Sequence, residues 1–220
     1  MSTTTVYSST ADGYLYSYNP TYSTARIGGT IGVASGNNEI FVDQQLSSGP
    51  TYILYNGFLD FDTSAIPDSD EISAVTLSLR PEDTYPYGGS PGALEVYAHD
   101  WGATLGTDDW VPGADVAAKT LLASYTGSWT AGAYRDLTSK DAFKAAVNKT
   151  GATRLFLCVS RFRTGTVPTG EDYYGFYTAN KGDGYKPKLV IEHAAPAGGS
   201  ALWLPSHYDG GLYDRMNGGI

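Results

Sequence analysis

Short segments with a hydrophobic residue at every second position recur along this chain, and they constrain its fold more than any other feature. In the segment EISAVTLSLR (71–80), Val75, Leu77 and Leu79 alternate with polar residues. Successive side chains of a strand point to opposite faces, so this spacing predicts a strand with one buried and one solvated face. We predict further strands in the segments 39–46, 51–62, 93–101, 154–163, 172–180 and 187–193.

Glycine and proline separate these segments and fix the fold class. The chain of 220 residues has 27 Gly and 11 Pro, and its 18 Tyr outnumber its 14 Lys and Arg. Many turn residues and many aromatic residues favour sheets over helices. We therefore predict an all-β protein, a jelly-roll-like antiparallel β-sandwich formed by residues 1–193. The small residues that follow predict a linker and an extended C-terminal tail over 194–220.

One short helix is expected within this β-rich chain, in the segment LTSKDAFKAAVNKTG (137–151). Thr138 or Ser139 is the expected N-cap, and Gly151 is the expected stop. The apolar stripe of this helix consists of Ala142, Phe143, Ala146 and Val147.

Charge and cysteine content narrow the classes of partner. The formal net charge is -9, which predicts no binding to nucleic acid or to anionic membranes, because both attract basic patches. Cys158 is the single cysteine, so no disulfide within the chain is expected. The N-terminal residues lack the basic start and apolar run of a signal peptide, and no segment approaches about 20 consecutive apolar residues. Synthesis as a soluble protein in a cytoplasm is the expectation.

Acidic residues crowd the turn between two predicted strands. Asp60 and Asp62 share a strand face about 7 Å apart, a separation that glycoside hydrolysis by paired carboxylates permits. Asp68, Asp70 and Glu71 follow in the turn. Three interpretations stand: a catalytic pair, a structural calcium site, and a solvated turn. The solvated turn is favoured, because the segment lacks the regular ligand spacing of a calcium loop.

Motifs for other catalysis are missing from the sequence. It has no Gly-x-Ser-x-Gly, and His99, His193 and His207 are scattered without a metal-binding spacing. We predict that the protein is not an enzyme and that it has no metal site, apart from the calcium alternative.

Aromatic residues give the most informative candidate site. Tyr14, Tyr16 and Tyr18 share one face of a predicted strand, and Trp101 and Trp110 could join them in a flat platform. Sugar rings pack their C–H faces on aromatic rings, and tyrosine adds a polar tip. These five residues are the predicted glycan-binding site. Alternatively, the rings cover the sandwich, pack under loops or lie in a protein interface.

Several segments resemble one known family. GFLDFDTSAIPDSDEISAVTLSLR (57–80) resembles the signature region of the DNRLRE-domain family, whose members are jelly-roll sandwiches like carbohydrate-binding modules. ADGYLYSYNPTYSTARIG, LEVYAHDWGATLGTDDW, RLFLCVSRFR and KPKLVIEH resemble other strands of that family, and together the match spans residues 10–193. The sequence departs from the family at Asp60, where a basic residue is frequent, and it lacks the hexapeptide that names the family.

The resemblance implies a setting as well as a fold. Domains of this kind occur in polysaccharide-acting proteins and in virion proteins of tailed phages. The leading hypothesis is a non-enzymatic virion structural protein: a capsid decoration protein, head fibre or minor tail component on the virion surface, assembled in the host cytoplasm. Its expected partners are other virion proteins, further copies of itself and a cell-surface glycan. The alternative is a carbohydrate-binding module of a polysaccharide-acting protein. The docking residues predicted in the tail are Leu202, Trp203, Leu204, Tyr208, Leu212, Tyr213 and Ile220. The alternative is that the tail folds back on its own sandwich.

Overall fold

The computed structural model describes residues 1–82 and 92–196, and these residues form an antiparallel β-sandwich. The predicted all-β class is thereby confirmed. The strands are β1 (Ser2–Tyr7), β2 (Gly13–Asn19), β3 (Thr30–Ser35), β4 (Glu39–Leu46), β5 (Tyr52–Asp62), β6 (Glu71–Leu79), β7 (Leu94–Ala98), β8 (Leu121–Tyr125), β9 (Arg135–Asp136), β10 (Thr138–Ser139), β11 (Ala152–Val159), β12 (Glu171–Tyr177) and β13 (Lys188–Ala194).

Two sheets build the sandwich. The smaller sheet has the order β1-β13-β6-β9, and the larger runs β10-β8-β7-β11-β5-β2-β3. Strand β5 organises the larger sheet, because along one edge it pairs with β4 over Tyr52–Tyr55 and then with β11 over 57–62. Strand β12 continues the sheet beyond β4. The five strands β3, β2, β5, β4 and β12 therefore lie side by side at one end of the larger sheet.

The acidic turn connects the two sheets and does not close a hairpin. Strand β5 belongs to the larger sheet and β6 to the smaller one, so the sequence correctly predicts two strands and a turn but not their separation. The buried hydroxyl of Thr63 holds this crossing, because it donates to the carbonyl oxygen of Asn148 at 2.6 Å. Lys149 Nζ donates to the carbonyl oxygens of Asp68 and Asp70 on the other side of the turn.

The first strand of the chain pairs with the last. β1 and β13 are antiparallel, with Ser2 opposite His193 and Tyr7 opposite Lys188. The His193 ring strengthens this junction: its Nε2 lies 2.9 Å from Thr4 Oγ1, and its Nδ1 lies 2.7 Å from Asp70 Oδ2. His193 thus ties the edge strand to the turn that precedes β6.

Within the described part of the chain, four short α-helices lie between the strands, where the sequence predicts one. They are α1 (Tyr22–Gly28), α2 (Gly113–Val116), α3 (Ala142–Ala146) and α4 (Ser160–Thr164). The predicted helix is α3, with Phe143 fully buried, but it is shorter than expected. Thr138 and Ser139, the predicted caps, pair with β8 as strand β10.

Strand β7 is buried on both faces, which its alternating sequence does not indicate. Leu94 and Val96 are buried as predicted, but Glu95 and Tyr97 are buried as well and Ala98 is exposed. The cause is the neighbouring helix α4: Arg163 donates from Nε and Nη2 to the Glu95 carboxylate at 2.8 and 2.9 Å. The predicted outward face of β7 is therefore covered.

The predicted domain boundary lies at the end of the last strand. β13 ends at Ala194, and the residues from 197 onward lie outside the described part of the chain. All seven docking residues predicted in the tail are among them. Within residues 1–82 and 92–196, no helix is long and apolar enough to span a membrane.

Candidate binding face

The three predicted tyrosines of β2 lie on the solvent side of the larger sheet. Leu15 and Ser17 between them are fully buried, whereas Tyr14 and Tyr16 are half-buried and Tyr18 is 42% exposed. The alternation of a strand therefore places the three rings as the sequence predicts.

Strand register brings three more rings to this face. Tyr55 of β5 lies opposite Tyr16, and Asp43 of β4 lies between Tyr55 and Tyr173 of β12. Phe41 packs edge-on against Tyr14 and Tyr173, with ring centroids 6.0 and 5.7 Å apart. We call these six rings the aromatic face: Tyr14, Tyr16, Tyr18, Phe41, Tyr55 and Tyr173.

The rings of the aromatic face form one continuous series. Tyr16 and Tyr18 lie in nearly parallel planes, with centroids 6.4 Å apart. Tyr55 contacts both Tyr14 and Tyr16, at 5.8 and 6.0 Å between centroids. Side-by-side rings on a regular sheet have little freedom, so the surface that they offer is preformed.

Small residues on the edge strand leave room for this arrangement. The Tyr16 ring lies over Gly32 of β3, and a β-carbon added at Gly32 would stand 2.1 Å from Tyr16 Cζ. An aromatic ring that covers a glycine on an edge strand also fixes the register of that strand. Gly32 thus determines where the Tyr16 ring lies.

Polar groups lie among the rings. Gln45 Nε2 approaches Tyr55 Oη at 3.4 Å, and Asp43 is 4% exposed beside the same ring. Burial, followed by the Asp43 charge, raises the pKa of Tyr55 to about 12. Burial also raises the pKa of Tyr14. These two hydroxyls remain protonated at neutral pH, so each can both donate and accept a hydrogen bond.

The two predicted tryptophans do not belong to this face, and that part of the predicted platform is wrong. Trp101 is 3% exposed and packs edge-on against Phe58. Trp110 is 7% exposed and packs edge-on against Phe162 of α4. Loops and helices cover the larger sheet there, so both rings fill the interior instead of meeting solvent.

The two carboxylates that the sequence places on one strand face, at the end of β5, are engaged separately. Asp60 accepts hydrogen bonds from Arg154 Nε at 2.9 Å and from the Ser9 hydroxyl at 2.8 Å. Asp62 is exposed, and it accepts hydrogen bonds from the amide and hydroxyl of Ser64, which lower the pKa of the Asp62 carboxyl. Each carboxylate therefore stabilises its own surroundings.

A buried carboxyl that the sequence does not single out contacts the backbone of Asp60. Asp12 has no exposed surface, and its Oδ1 accepts the Asp60 amide hydrogen bond at 3.0 Å. Burial raises the pKa of Asp12 to about 8. Asp12 joins the start of β2 to β5 as a carboxyl that is mostly neutral at pH 7.

No three His, Cys, Asp or Glu side chains within the described ranges lie close enough together to hold a metal ion. Backbone carbonyl oxygens also bind calcium, so the structural calcium of the sequence analysis stays a prediction.

Sequence reasoning missed half of the aromatic face. Tyr55 and Phe41 lie in segments with a recognisable strand pattern, but nothing in that pattern says which strands are neighbours. Tyr173 joins them from more than 100 residues away through the β4–β12 pairing. Only the long-range register brings the six rings together.

Comparison with known proteins does not assign this chain to a family. Neither the protein-family models nor the curated proteins searched with this sequence match it. The likeness to the DNRLRE-domain family stays a prediction from the sequence segments.

Proposed function

We propose that this protein is a non-enzymatic binding module that holds a glycan on the aromatic face. One observation carries the proposal: six rings lie side by side on the solvent face of one sheet, with Tyr18 42% exposed. Monomeric proteins rarely leave a contiguous apolar surface without a use. Sugar rings suit this surface, because their C–H faces pack on aromatic planes while their hydroxyls meet the tyrosine oxygens and Gln45.

The chemistry of the face favours binding over catalysis. Glycoside hydrolysis needs two carboxyl groups across a substrate, with pKa values that differ enough for one acid and one base. Asp60 is bonded to Arg154 and Ser9, and Asp62 to Ser64. Glycan binding on the aromatic face by contrast needs only rings held in fixed positions, and the sheet holds them.

The first experiment is a glycan-array screen of the full chain. The strongest uncharged ligand is then titrated by calorimetry against wild type, Tyr16→Ala/Tyr18→Ala and Tyr7→Ala. Tyr7 is an exposed tyrosine on the smaller sheet, so it is a matched control. We expect the double variant to lose at least about tenfold in affinity and the control to keep it. Binding to no glycan, or an equal loss in both variants, would overturn the proposal.

We propose the surface of a tailed-phage virion as the setting, where the module would serve as a decoration or minor tail protein. The support is the family resemblance and the aromatic C-terminal tail, with Trp203 and Tyr213 as its main anchors. Co-sedimentation with purified phage heads, and separately with tails, tests this setting. Binding that disappears when residues 197–220 are removed would support it. If neither particle binds the protein, the carbohydrate-binding module of a polysaccharide-acting protein becomes the leading hypothesis.

A further inference from the structure

Three cations lie around the end of β6, although the chain carries a net charge of -9. Lys188 lies on β13, Arg80 directly follows β6, and Lys181 lies in a short turn after β12. We call them, together with three tyrosines that contact them, the basic–tyrosine cluster: Arg80, Lys181, Lys188, Tyr134, Tyr177 and Tyr185.

Aromatic rings hold the cations of this cluster in place. Arg80 Cζ lies 4.4 Å from the Tyr185 ring centroid, and Lys188 Nζ lies 4.4 Å from that of Tyr134. Lys181 Nζ lies 4.9 Å from the centroid of Tyr177 and 6.0 Å from that of Tyr185. Cation–π contacts of this kind orient a charge without neutralising it.

The three cations form no ion pair with a carboxylate of the described ranges, although Glu82 lies two residues after Arg80 and its carbonyl oxygen accepts a hydrogen bond from Tyr177. Arg80 donates from Nη1 to the carbonyl oxygen of Gly184 at 2.7 Å. The ion pairs of the described residues include none with Arg80, Lys181 or Lys188. Two carboxylates nearby are engaged elsewhere, Asp183 with Lys186 at 3.0 Å and Asp136 with the Ser78 hydroxyl at 2.6 Å.

Two of the cations contact the same ring. Arg80 and Lys181 both lie within about 6 Å of the Tyr185 ring. Both charges would therefore attract an anion that binds beside the Tyr185 ring. The arrangement therefore indicates a site for negatively charged groups.

We propose that the basic–tyrosine cluster binds an acidic polysaccharide through its carboxylate, phosphate or sulfate groups. At physiological salt the Debye length is about 8 Å, so the cluster attracts only anionic groups close to it. The acidic remainder of the protein repels a polyanion that extends beyond the cluster. A polysaccharide with separated charges suits this balance better than a nucleic acid duplex with one charge per about 1.7 Å. The site lies on other residues than the aromatic face and does not depend on it.

The test uses the full chain and four immobilised probes: chondroitin sulfate, polygalacturonate, uncharged dextran and single-stranded oligo-dT. We expect binding to the two acidic polysaccharides, weakened by added salt, and none to uncharged dextran. Lys181→Ala/Lys188→Ala should lower the affinity roughly tenfold. Lys140→Ala/Lys144→Ala removes the same charge elsewhere and should leave the affinity unchanged.

Three results would overturn the proposal. The first is no binding to either acidic polysaccharide, and the second is an equal loss in both lysine pairs, which would indicate a net-charge effect. The third is tighter binding to oligo-dT, which would indicate a nucleic-acid site. Tyr16→Ala/Tyr18→Ala separates the two sites, because it should leave binding to chondroitin sulfate intact.

Discussion

The Tyr16 ring covers Gly32 so closely that a β-carbon at residue 32 would stand 2.1 Å from Tyr16 Cζ. Gly32→Ala should therefore displace the ring and weaken glycan binding. The end of the tyrosine side chain can swing away, and alanine suits a strand better than glycine by roughly 0.5–1 kcal/mol. We expect the melting temperature to stay close to that of wild type while the affinity falls.

Calorimetric titration and a thermal melt of Gly32→Ala check this prediction together. Gly36→Ala serves as the control for backbone effects, since no atom lies within 4 Å of its added β-carbon and its φ of +74° strains the variant. The control should melt earlier and bind normally. Normal binding by Gly32→Ala would show that the Tyr16 ring does not contact the ligand.

Asp12→Asn should change how stability depends on pH. The pKa of Asp12 rises from 3.8 in the unfolded chain to about 8 in the folded protein, so between these values the folded state binds the extra proton. Its contribution to stability therefore falls as the pH rises through this window and levels off above pH 8. Asparagine cannot ionise and still accepts the Asp60 amide hydrogen bond.

Urea unfolding at pH 5 and at pH 8 checks the role of Asp12. Relative to wild type, the variant should gain stability at the higher pH. Parallel stability profiles for the two proteins would mean that Asp12 titrates alike in the folded and unfolded states.

Glu95→Gln should destabilise the contact between α4 and β7. The Glu95 side chain is 6% exposed and accepts two hydrogen bonds from Arg163, whose side chain is 34% exposed. Loss of one partner from such a half-solvated pair costs about 2 kcal/mol. Urea unfolding measures the loss. Asp141→Asn removes an exposed ion pair with Lys144 and should not change stability measurably.

Trp110→Ala should reduce stability, because this ring is interior. A truncated buried tryptophan costs about 3–5 kcal/mol, and Trp110 is 7% exposed. Tyr18→Ala at an exposed position should cost less than about 1 kcal/mol. Equal losses of unfolding free energy would contradict the assignment of Trp110 to the core and Tyr18 to the surface.

Removal of residues 197–220 should leave a folded, monomeric sandwich. The last strand ends at Ala194 and pairs there with Glu71 of β6, so the truncation spares every described strand pair. Size-exclusion chromatography and a thermal melt decide the point. An insoluble product would show that the sandwich needs the tail.

The sequence predicts those elements whose pattern is local. Val75, Leu77 and Leu79 are buried as their alternation requires. The same rule places the side chains of Tyr14, Tyr16 and Tyr18 on one face of β2. The pattern fails at Tyr97, because helix α4, more than 60 residues later in the chain, covers the face that should be solvated.

The candidate site is predictable only in part for a related reason. In the sequence Trp101 resembles a platform residue, because tryptophan is common in glycan sites. Its burial depends on the loops that pack it against Phe58. Tyr173 joins the aromatic face because β12 pairs with β4. No local sequence pattern predicts that pairing. Sequence patterns give the face of a strand, whereas strand order and the covering segments need the assembled structure.

The pairing of β1 with β13 bears on how the protein matures. Ser2 pairs with His193, which lies almost at the other end of the sandwich sequence. The smaller sheet is therefore incomplete until β13 has left the ribosome. Contacts this distant in sequence slow folding, since a long loop must close before they form. During synthesis β1 exposes an unpaired edge, with the risk of pairing to a neighbouring nascent chain. Slow expression at low temperature should therefore give a larger soluble fraction than rapid expression does.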